Sequence, residues 1–526
     1  MAFDPDVVIV GGGSSGSVLA ARLVGDFGAK VLLLEAGPSR GHWMLDLPAG
    51  YMKFLASDRF LEFHESTPQR ALGGRSLIVP QARILGGGSA VNAMVYMRGQ
   101  PEDYEAWAEA AASRDWSFEG LLPHFKAVEG NAELGDPWHG KEGPLKVSHL
   151  GHHNEVSLAF LEACAARGIP LTDDFNGAAQ AGAGFMQHTI DRQSRRRSSV
   201  VGAFLEPLKR HPDLRILSGS EVRRILVEGG RAVGVEYAHE GQTEIVRAAS
   251  DVVLCAGALA TPLLLMRSGI GPADHLRDCG IDLVLDNPAI GANLQDHCEA
   301  PVVATLRRGL GYFGQDKGLA MLRHGVRYLL TRSGPVTSTG VEACAFVTSG
   351  DGARADLQIY CVPTVYLDRT VTGAEPTWGV TLNSCLLRPK SRGTIRLDPS
   401  APESRSNFEP GYLDDTRDME TILRGLEICR SILRQAPLSD MVVEEILPKA
   451  SQSDGEALRN HVRSTVKTNY HPVGTAALGT VVDARLRVHG LDSLRIADAS
   501  VMPTIPSGNT NAPVIAVAHK AAALLR

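Results

Sequence analysis

The chain has 526 residues, of which 44% are hydrophobic and 21% are charged, and its formal net charge is −6 at pH 7. This length exceeds what one hydrophobic core usually supports, so we expect two or more structural regions. The acidic balance excludes the broad basic footprint typical of nucleic-acid binding. The one basic run, residues 192–197, is short and has no interleaved aromatic residues, so we predict a solvated or structural role for it.

The amino-terminal segment MAFDPDVVIV has Asp4 and Asp6 where a signal peptide carries positive charge. The longest apolar stretch, VVLCAGALATPLLLM, is interrupted by Gly257 and Pro262 and is shorter than the roughly 20 residues that span a bilayer. The eight cysteines show no CxxC spacing, so neither a zinc ribbon nor a disulfide scaffold is indicated. These features predict a cytoplasmic protein without a transmembrane anchor.

The first predicted unit is a nucleotide-binding βαβ segment. An apolar run, a glycine turn, a small-residue helix and a second apolar run follow one another over residues 7–34. In the pattern G-x-G-x-x-G, Gly11 permits the tight turn, Gly13 lets the backbone approach a pyrophosphate, and Gly16 lets the helix pack close to the strand. The helix amino terminus then offers unpaired N–H groups to the phosphates. The candidate contacts are Gly11, Gly13, Ser14, Ser15 and Gly16.

An acidic residue ends the second apolar run. Glu35 follows Gly16 by 19 residues, and its carboxylate can accept hydrogen bonds from ribose hydroxyls. An acid here disfavours a 2′-phosphate, so NADP is disfavoured. We take Glu35 and Ala36 as candidate adenosine contacts. The motif alone leaves both NAD and FAD open.

Two further glycine clusters follow, at residues 83–92 (RILGGGSAVN) and 254–272 (LCAGALATPLLLMRSGIGP). The first has three successive glycines before Ser89 and Asn92, and its exposed N–H donors suit a polar ligand lying flat against the backbone. The second begins as a buried strand, turns, and enters a helix with a proline near its first turn. A nicotinamide dehydrogenase usually completes its nucleotide domain before its substrate domain, so these clusters favour a flavin.

The chain resembles the glucose-methanol-choline (GMC) family of flavin oxidoreductases. Similar segments follow the family's order along nearly the whole chain: VVIVGGGSSGSVLAARL, ARILGGGSAVNAMVYMRG, WHGKEGPL, RRRSSVVGAFLEP, VVLCAGALATPLLLMRSGIGP, IGANLQDH, NYHPVGTAALG and LRIADASVMPTIPSGNTNAP. The resemblance implies an α/β fold. In it, a Rossmann-type FAD-binding domain is interleaved with a substrate domain built on an antiparallel sheet with helices. We expect the FAD domain at 1–150, 200–300 and 465–526, and the substrate domain at 151–199 and 301–464.

The glycine cluster at residues 83–92 and the two residues before it depart from the family pattern. Gln81 and Ala82 stand where the family usually shows Arg-Gly, and Gly88 stands where it usually shows Ser or Thr. Some members tether their flavin through a histidine in this loop. Here that position is Val91, and there is no histidine between residues 65 and 123, so we expect FAD to be bound non-covalently.

The resemblance also implies the other cofactor contacts. Val222 should offer its backbone to the adenine, and Asp498 and Ala499 should approach the pyrophosphate or the flavin ring. The full set of contacts implied by family motifs is Gly86, Gly87, Ser89, Asn92, Ala93, Met94, Val95, Val222, Ala256, Gly257, Asp498, Ala499, Asn511 and Pro513.

The resemblance places His471, in TNYHPVGT, beside the flavin in a cleft where the alcohol binds. A neutral imidazole with an ordinary pKa of ~6.5 can accept the hydroxyl proton. Asn509 can donate an amide hydrogen bond to the substrate oxygen, and Asn511 is the alternative for this role. The flavin takes the hydride.

Two further residues are assigned to the substrate. Tyr470 is expected to line the cleft. Glu342 matches a position that meets a cationic substrate in choline-oxidising relatives, although the family shows this glutamate widely and a structural role is favoured. No metal-ligand spacing occurs, so no metal is predicted.

These observations predict an FAD-dependent oxidoreductase that converts a primary alcohol to an aldehyde, with molecular oxygen, a quinone or another carrier as electron acceptor. The alternatives are an FAD-containing lyase of the hydroxynitrile lyase or photodecarboxylase type, and a flavin-binding protein without catalysis. The pair of His471 and Asn509 favours alcohol oxidation. The aromatic share of only 6% disfavours a broad cage of aromatic side chains around the substrate. The particular alcohol, the acceptor and the oligomeric state stay open.

Overall fold

The computed structural model describes residues 3–55, 57–350, 352, 354–367, 371, 374–449, 451–452 and 454–525. Within these residues the strands, β1 to β23 in chain order, are Val7–Val10, Val31–Glu35, Leu61–Glu65, Ile78–Ala82, Glu129–Asn131, Leu145–Val147, Gly182–Phe185, Leu214–Ser218, Ser220–Glu228, Arg231–His239, Gln242–Arg247, Asp251–Leu254, Ile270–Gly271, Leu285–Asp286, Cys298–Leu306, Ala343–Val347, Leu357–Val362, Gly379–Leu386, Thr394–Leu397, Ser406–Glu409, Val442–Leu447, Lys467–Thr468 and Leu494–Ile496. The α-helices, α1 to α12, are Ser14–Phe27, Gly88–Val91, Pro101–Ala110, Phe118–Val128, Glu155–Ala166, Gly257–Arg267, Ala273–Asp278, Gly318–Thr331, Thr416–Leu433, Leu438–Met441, Gly455–Thr465 and Asn511–Leu524.

A five-stranded parallel sheet, in the order β23-β12-β1-β2-β8, forms the centre of the first region. All four residues of β1 are buried, as expected for a parallel strand covered on both faces. Helix α1 follows and ends at Gly28, whose left-handed φ of 65° lets its N–H bond back to the carbonyls of Leu23 and Val24. The turns after β1 and β12 therefore meet at the carboxyl edge of the sheet, where parallel sheets bind ligands.

The second region is a seven-stranded antiparallel sheet. Its path is β21-β15-β18-β17-β16-β7, and β22 pairs with β15 at the side. Helices α5, α9 and α11 pack against this sheet and close a second hydrophobic core. The long helix α9 begins where the Asp415 carboxylate accepts the Arg417 N–H. A parallel sheet and an antiparallel sheet built from interleaved segments confirm the predicted fold class.

The chain passes more than once between the two regions. Strand β22 lies in the antiparallel sheet. The hairpin β19–β20 packs Ile395, Leu397 and Phe408 into the core of the first region. We propose the predicted limits for the two domains. The hairpin β19–β20 belongs to the predicted substrate domain by sequence but packs on the parallel-sheet side.

Candidate active site

A cavity of about 310 Å³ lies where the two regions meet. Its walls combine the turns after β1 and β12, the glycine cluster at residues 83–92 and the segments around His471 and Asn509. Most predicted site residues line it, namely Gly13, Ser14, Ser15, Gly87, Asn92, Ala93, Met94, Val95, Ala256, Gly257, Tyr470, His471, Asp498, Ala499, Asn509 and Asn511. The others lie outside this lining, namely Gly11, Gly16, Glu35, Ala36, Gly86, Ser89, Val222, Glu342 and Pro513.

The three motif glycines have different physical reasons. Gly11 has a φ of +100°, and a Cβ on Gly16 would lie 1.9 Å from the Gly11 carbonyl oxygen. A Cβ on Gly13 would come no closer than 3.9 Å to any other heavy atom of the described residues, and Gly13 lines the cavity. Packing therefore requires glycine at 11 and 16, whereas space at 13 is available to a ligand. Because α1 has no capping side chain and no acid in its first turn, its N–H groups fit a pyrophosphate.

Glu35 is held by backbone donors at the end of β2. Its Oε2 accepts the Gly12 N–H at 2.8 Å, and its Oε1 accepts the Gly37 N–H at 2.7 Å. Burial raises the pKa of this carboxyl, while the two N–H bonds act to lower it. Each carboxylate oxygen keeps a further lone pair, so the site fits ribose hydroxyls.

Arg197, the last residue of the basic run, holds the glycine cluster at residues 83–92 in place. Its guanidinium donates to the carbonyls of Leu45, Ser89 and Asn92 and to Oδ1 of Asn92, at 2.7 to 3.0 Å. Burial lowers the pKa of Arg197 to about 10. Arg197 therefore shapes the loop that carries Asn92, which gives this end of the run a structural role.

Two predicted polar residues order the cofactor side of the cavity. The buried Asp498 carboxylate accepts the Gly257 N–H at 2.8 Å and the Thr261 hydroxyl at 2.6 Å, which fixes the start of α6. Asn511 accepts a hydrogen bond from the Ser14 hydroxyl at 2.8 Å through its Oδ1. Asn511 is thus committed to joining two helix starts, which favours Asn509 as the group free to meet a substrate.

His471 lies in a chain of polar contacts that fixes its tautomer. Nε2 of His297 is 3.1 Å from the Leu387 carbonyl oxygen, so this nitrogen carries the proton. Burial lowers the pKa of His297 to about 4, so the ring is neutral and its Nδ1 has a lone pair. Nδ1 of His471 lies 3.0 Å from Nδ1 of His297. Since the His297 nitrogen can only accept, Nδ1 of His471 must be the donor. Nε2 of His471 is therefore unprotonated.

The unprotonated nitrogen meets Asn509. Nδ2 of Asn509 lies 3.2 Å from Nε2 of His471 and can donate to it, while Oδ1 of Asn509 is buried without a partner among the described residues. Burial, together with the neighbouring His297, holds the pKa of His471 well below its ordinary value. A neutral imidazole and an unsatisfied amide oxygen at a cavity wall are suited to bind and deprotonate a hydroxyl group.

The loop that carries His471 is held from behind by Asp296. This carboxylate accepts the His471 backbone N–H at 2.8 Å and the Thr468 hydroxyl at 2.6 Å. Thr468 in turn accepts the Tyr470 N–H at 2.7 Å, and Tyr470 adopts a left-handed φ of 66°. A bulky residue in this region stores strain, which the bonds to Asp296 and Thr468 maintain.

The cavity lining also includes a group of apolar and tyrosine side chains. Its members include Tyr51, Met52, Leu55, Leu61, Val341, Tyr360, Val362, Tyr366 and Tyr470. The low aromatic content of the chain did not predict this cluster of tyrosines. Composition averages over the whole chain, whereas four of its ten tyrosines converge here.

A buried ion pair supports the tyrosines. Lys467 contacts Glu299, and its Nζ lies 4.8 Å from the Tyr366 ring centroid and 5.5 Å from that of Tyr470. The Tyr360 hydroxyl contacts the same Glu299 carboxylate and lies 2.7 Å from Oδ1 of Asn469. Burial raises the pKa of Glu299, and the charge of Lys467 acts against that rise. The pair thus places a cation behind two tyrosine rings and occupies the nearby carboxylate.

Glu342 lies outside the set of residues that line the cavity. Its buried carboxylate accepts the Asn154 N–H at 2.7 Å and contacts the hydroxyls of Tyr312 and Ser338. Its neighbour Val341 lines the cavity instead. Its partners fit the structural role that the sequence analysis favoured, and a substrate contact of Glu342 stays a prediction.

The sequence missed Asp296 and His297 as site residues. Both lie in IGANLQDH, a segment that contributed to the family resemblance without any role being assigned to its residues. They reach His471 because the segment before β15 pairs with the segment around Val473, with Gln295 opposite Val473. The motif itself was therefore the available signal.

A Rossmann-type nucleotide site, joined to an antiparallel-sheet domain by a cavity with a buried histidine, defines a nucleotide-dependent oxidoreductase. The chain belongs to the GMC oxidoreductase family, whose N-terminal model matches residues 5–299 and whose C-terminal model matches residues 389–518. The predicted family is confirmed. Proteins of this family are FAD-dependent, and the open glycine turn and the Glu35 carboxylate described above fit this cofactor.

Similar proteins cover nearly the whole chain. The alcohol dehydrogenase (acceptor) of Pseudomonas putida is 37% identical over 532 residues, covering 99% of this chain and 95% of that protein. The mitochondrial choline dehydrogenase of Homo sapiens is 36% identical, covering 99% and 89%. The crystal structure of pyridoxine 4-oxidase from Mesorbium loti superposes with a TM-score of 0.89 at 32% identity, covering 99% of both chains.

Proposed function

We propose that this protein oxidises a primary alcohol to an aldehyde, with FAD as cofactor and His471 as general base. The observation that carries the proposal is the unprotonated Nε2 of His471, which lies beside Asn509 at the cavity wall. Bound FAD supplies the hydride acceptor for this chemistry. The names of the relatives, an alcohol dehydrogenase and a choline dehydrogenase among them, support the same reaction class.

In the proposed mechanism, the side chains of the cavity hold and move one proton. The alcohol hydroxyl donates to Nε2 of His471, which takes the proton as the C–H bond breaks. When the alcohol binds, Nδ2 of Asn509 exchanges its contact with Nε2 of His471 for a hydrogen bond to the substrate oxygen, which fixes the carbon in one orientation. His297 accepts from Nδ1 of His471 throughout, which keeps the receiving nitrogen free of a proton until the substrate supplies one.

We propose a neutral alcohol with an apolar or aromatic body as the substrate. Among the described residues that line the cavity, Asp498 is the one carboxylate, and backbone and hydroxyl donors occupy it. Tyrosine faces can attract a quaternary ammonium group, but the Lys467 ammonium already lies against two of the four rings. Because Glu299 is already paired with Lys467, a second cation in this poorly solvated site would have no free carboxylate among the described lining residues.

The matched pair choline and 3,3-dimethylbutan-1-ol tests this substrate class, because the two alcohols have nearly the same shape and differ in charge. We expect the neutral alcohol to reduce the flavin with a kcat/KM at least about tenfold higher. A preference for choline would contradict the neutral-substrate proposal and leave the alcohol-oxidation proposal intact.

FAD is proposed to be bound non-covalently, because Val91 offers no nucleophile at the position where some relatives tether the cofactor. The reaction itself is tested by recording the flavin absorbance in the absence of oxygen during additions of primary alcohols. Bleaching by a neutral alcohol is the expected result, and readmitted air then separates oxygen from other acceptors. A yellow protein that no alcohol bleaches, but that releases cyanide or an alkane, would replace alcohol oxidation by the lyase alternative.

A further inference from the structure

Helix α8 turns its apolar face to solvent. Leu319, Leu322, Val326, Leu329 and Leu330 are 47% to 85% exposed. At about 100° per residue, these five positions fall within an arc about 100° wide on one side of the helix. A continuous stripe of this kind differs from single exposed apolar residues, which are normal on protein surfaces.

The opposite side of α8 faces the protein and is more polar. His324 and Tyr328 are its buried residues. Nε2 of His324 lies 2.7 Å from the Gln315 side-chain oxygen, and the Tyr328 hydroxyl donates to the Ser194 carbonyl at 3.1 Å. The helix is thus oriented in the reverse of the usual way for a surface helix, which buries its apolar stripe.

Basic residues accompany the stripe. Arg323 and Arg327 flank one edge of the stripe, Lys317 and Arg332 cap the two ends of the helix, and the sequence from 317 to 332 contains no Asp or Glu. This local excess of positive charge lies on a chain whose net charge is −6. An apolar face bordered by basic residues is the pattern of helices that lie in the headgroup region of a membrane. We propose that α8 docks this protein on the surface of an anionic lipid bilayer.

The dimensions and charge of α8 favour a lipid surface over other partners. Its 14 residues extend about 21 Å, against a hydrocarbon core of about 30 Å. No helix in the described part of the chain is long and apolar enough to cross a membrane. Pairing with a second copy through α8 would bring two basic helices together. The stripe is therefore suited to lie in the membrane surface with its basic residues at lipid phosphates.

The docked helix also adjoins the cavity. The segment Pro335–Thr337 contacts both α8 and the segment Pro48–Phe54, which contributes Tyr51 and Met52 to the cavity lining. Docking through α8 would therefore bring one wall of the cavity close to the bilayer.

Co-sedimentation of the FAD-loaded protein with vesicles tests the proposal. We expect binding to phosphatidylcholine vesicles containing about one third phosphatidylglycerol, and weaker binding to pure phosphatidylcholine or at high salt. The double variant Leu322→Gln, Leu329→Gln should lower the partition coefficient at least about tenfold. The matched control, Ile245→Gln with Val443→Gln, alters two residues of similar exposure elsewhere and should leave binding unchanged.

Flavin content, thermal midpoint and activity with a soluble acceptor should be the same in both double variants, which separates a docking defect from misfolding. The proposal is overturned if the wild-type protein stays in the supernatant, or if the α8 variant sediments as the wild type does. It is also overturned if the wild type is a dimer that this variant converts to a monomer, because the stripe would then bind a second copy.

Discussion

Replacing His297 by Ala tests whether the tautomer of His471 is set by its neighbour. The substitution removes the acceptor of the Nδ1–H of His471, a bond of 3.0 Å in a fully buried setting. A buried donor left without a partner costs about 1 to 3 kcal/mol. That cost falls on the productive tautomer, because moving the proton to Nε2 lets the ring find Asn509 instead. At about 1.4 kcal/mol per factor of ten, flavin reduction by a saturating alcohol should slow by about 5- to 140-fold.

The assay is anaerobic stopped-flow absorbance of the flavin, which reports the reductive step alone. His297→Gln is the rescue variant, because its amide oxygen can accept the same Nδ1–H, and it should recover part of the rate. His461→Ala is the matched control, since His461 is also buried and lies 2.8 Å from a carbonyl oxygen, that of Pro301. A His297→Ala variant that retains FAD and reduces it within about twofold of the wild-type rate would refute the tautomer argument.

Three further predictions follow from the site. Gly13→Ala should weaken FAD binding at least about tenfold without changing the thermal midpoint of the FAD-free protein, whereas Gly16→Ala should lower that midpoint, because a Cβ has room at the first position and overlaps the Gly11 carbonyl at the second; equal effects on stability would contradict this difference. The pKa of His471 is held well below 6.5, and the base must be neutral to accept a proton. We therefore expect kcat/KM to fall only as the pH drops below 6.5, and an acid limb above that value would contradict the role of His471 as the base. Precipitation with acid should release all of the flavin into the supernatant, and flavin retained on the pelleted chain would disprove non-covalent binding.

The sequence could predict the parts of the site that depend on short-range patterns. The turn after β1 needs Gly11 and Gly16 for local packing reasons, and Glu35 follows at a spacing set by one helix and one strand. Such features are visible because backbone geometry restricts the residue type. The parallel sheet was predictable for the same reason, since its strands are continuous apolar runs next to glycine turns.

The parts that depend on distant residues could not be predicted in this way. His297 and His471 are 174 residues apart, and only the pairing of their segments shows that one ring orients the other. The tyrosine cluster likewise joins residues from three separate segments. The sequence also could not show the partners of Glu342, because Asn154 and Tyr312 come from separate segments.

In the proposed mechanism, His471 removes the proton of the alcohol while the flavin is reduced. The most direct measurement is the anaerobic rate of flavin bleaching by one neutral primary alcohol, compared between the wild-type protein and His471→Ala at equal FAD content. We expect the wild-type flavin to bleach and the variant to bleach at least about 10²-fold more slowly. A variant that keeps its FAD and bleaches at nearly the wild-type rate would contradict the account.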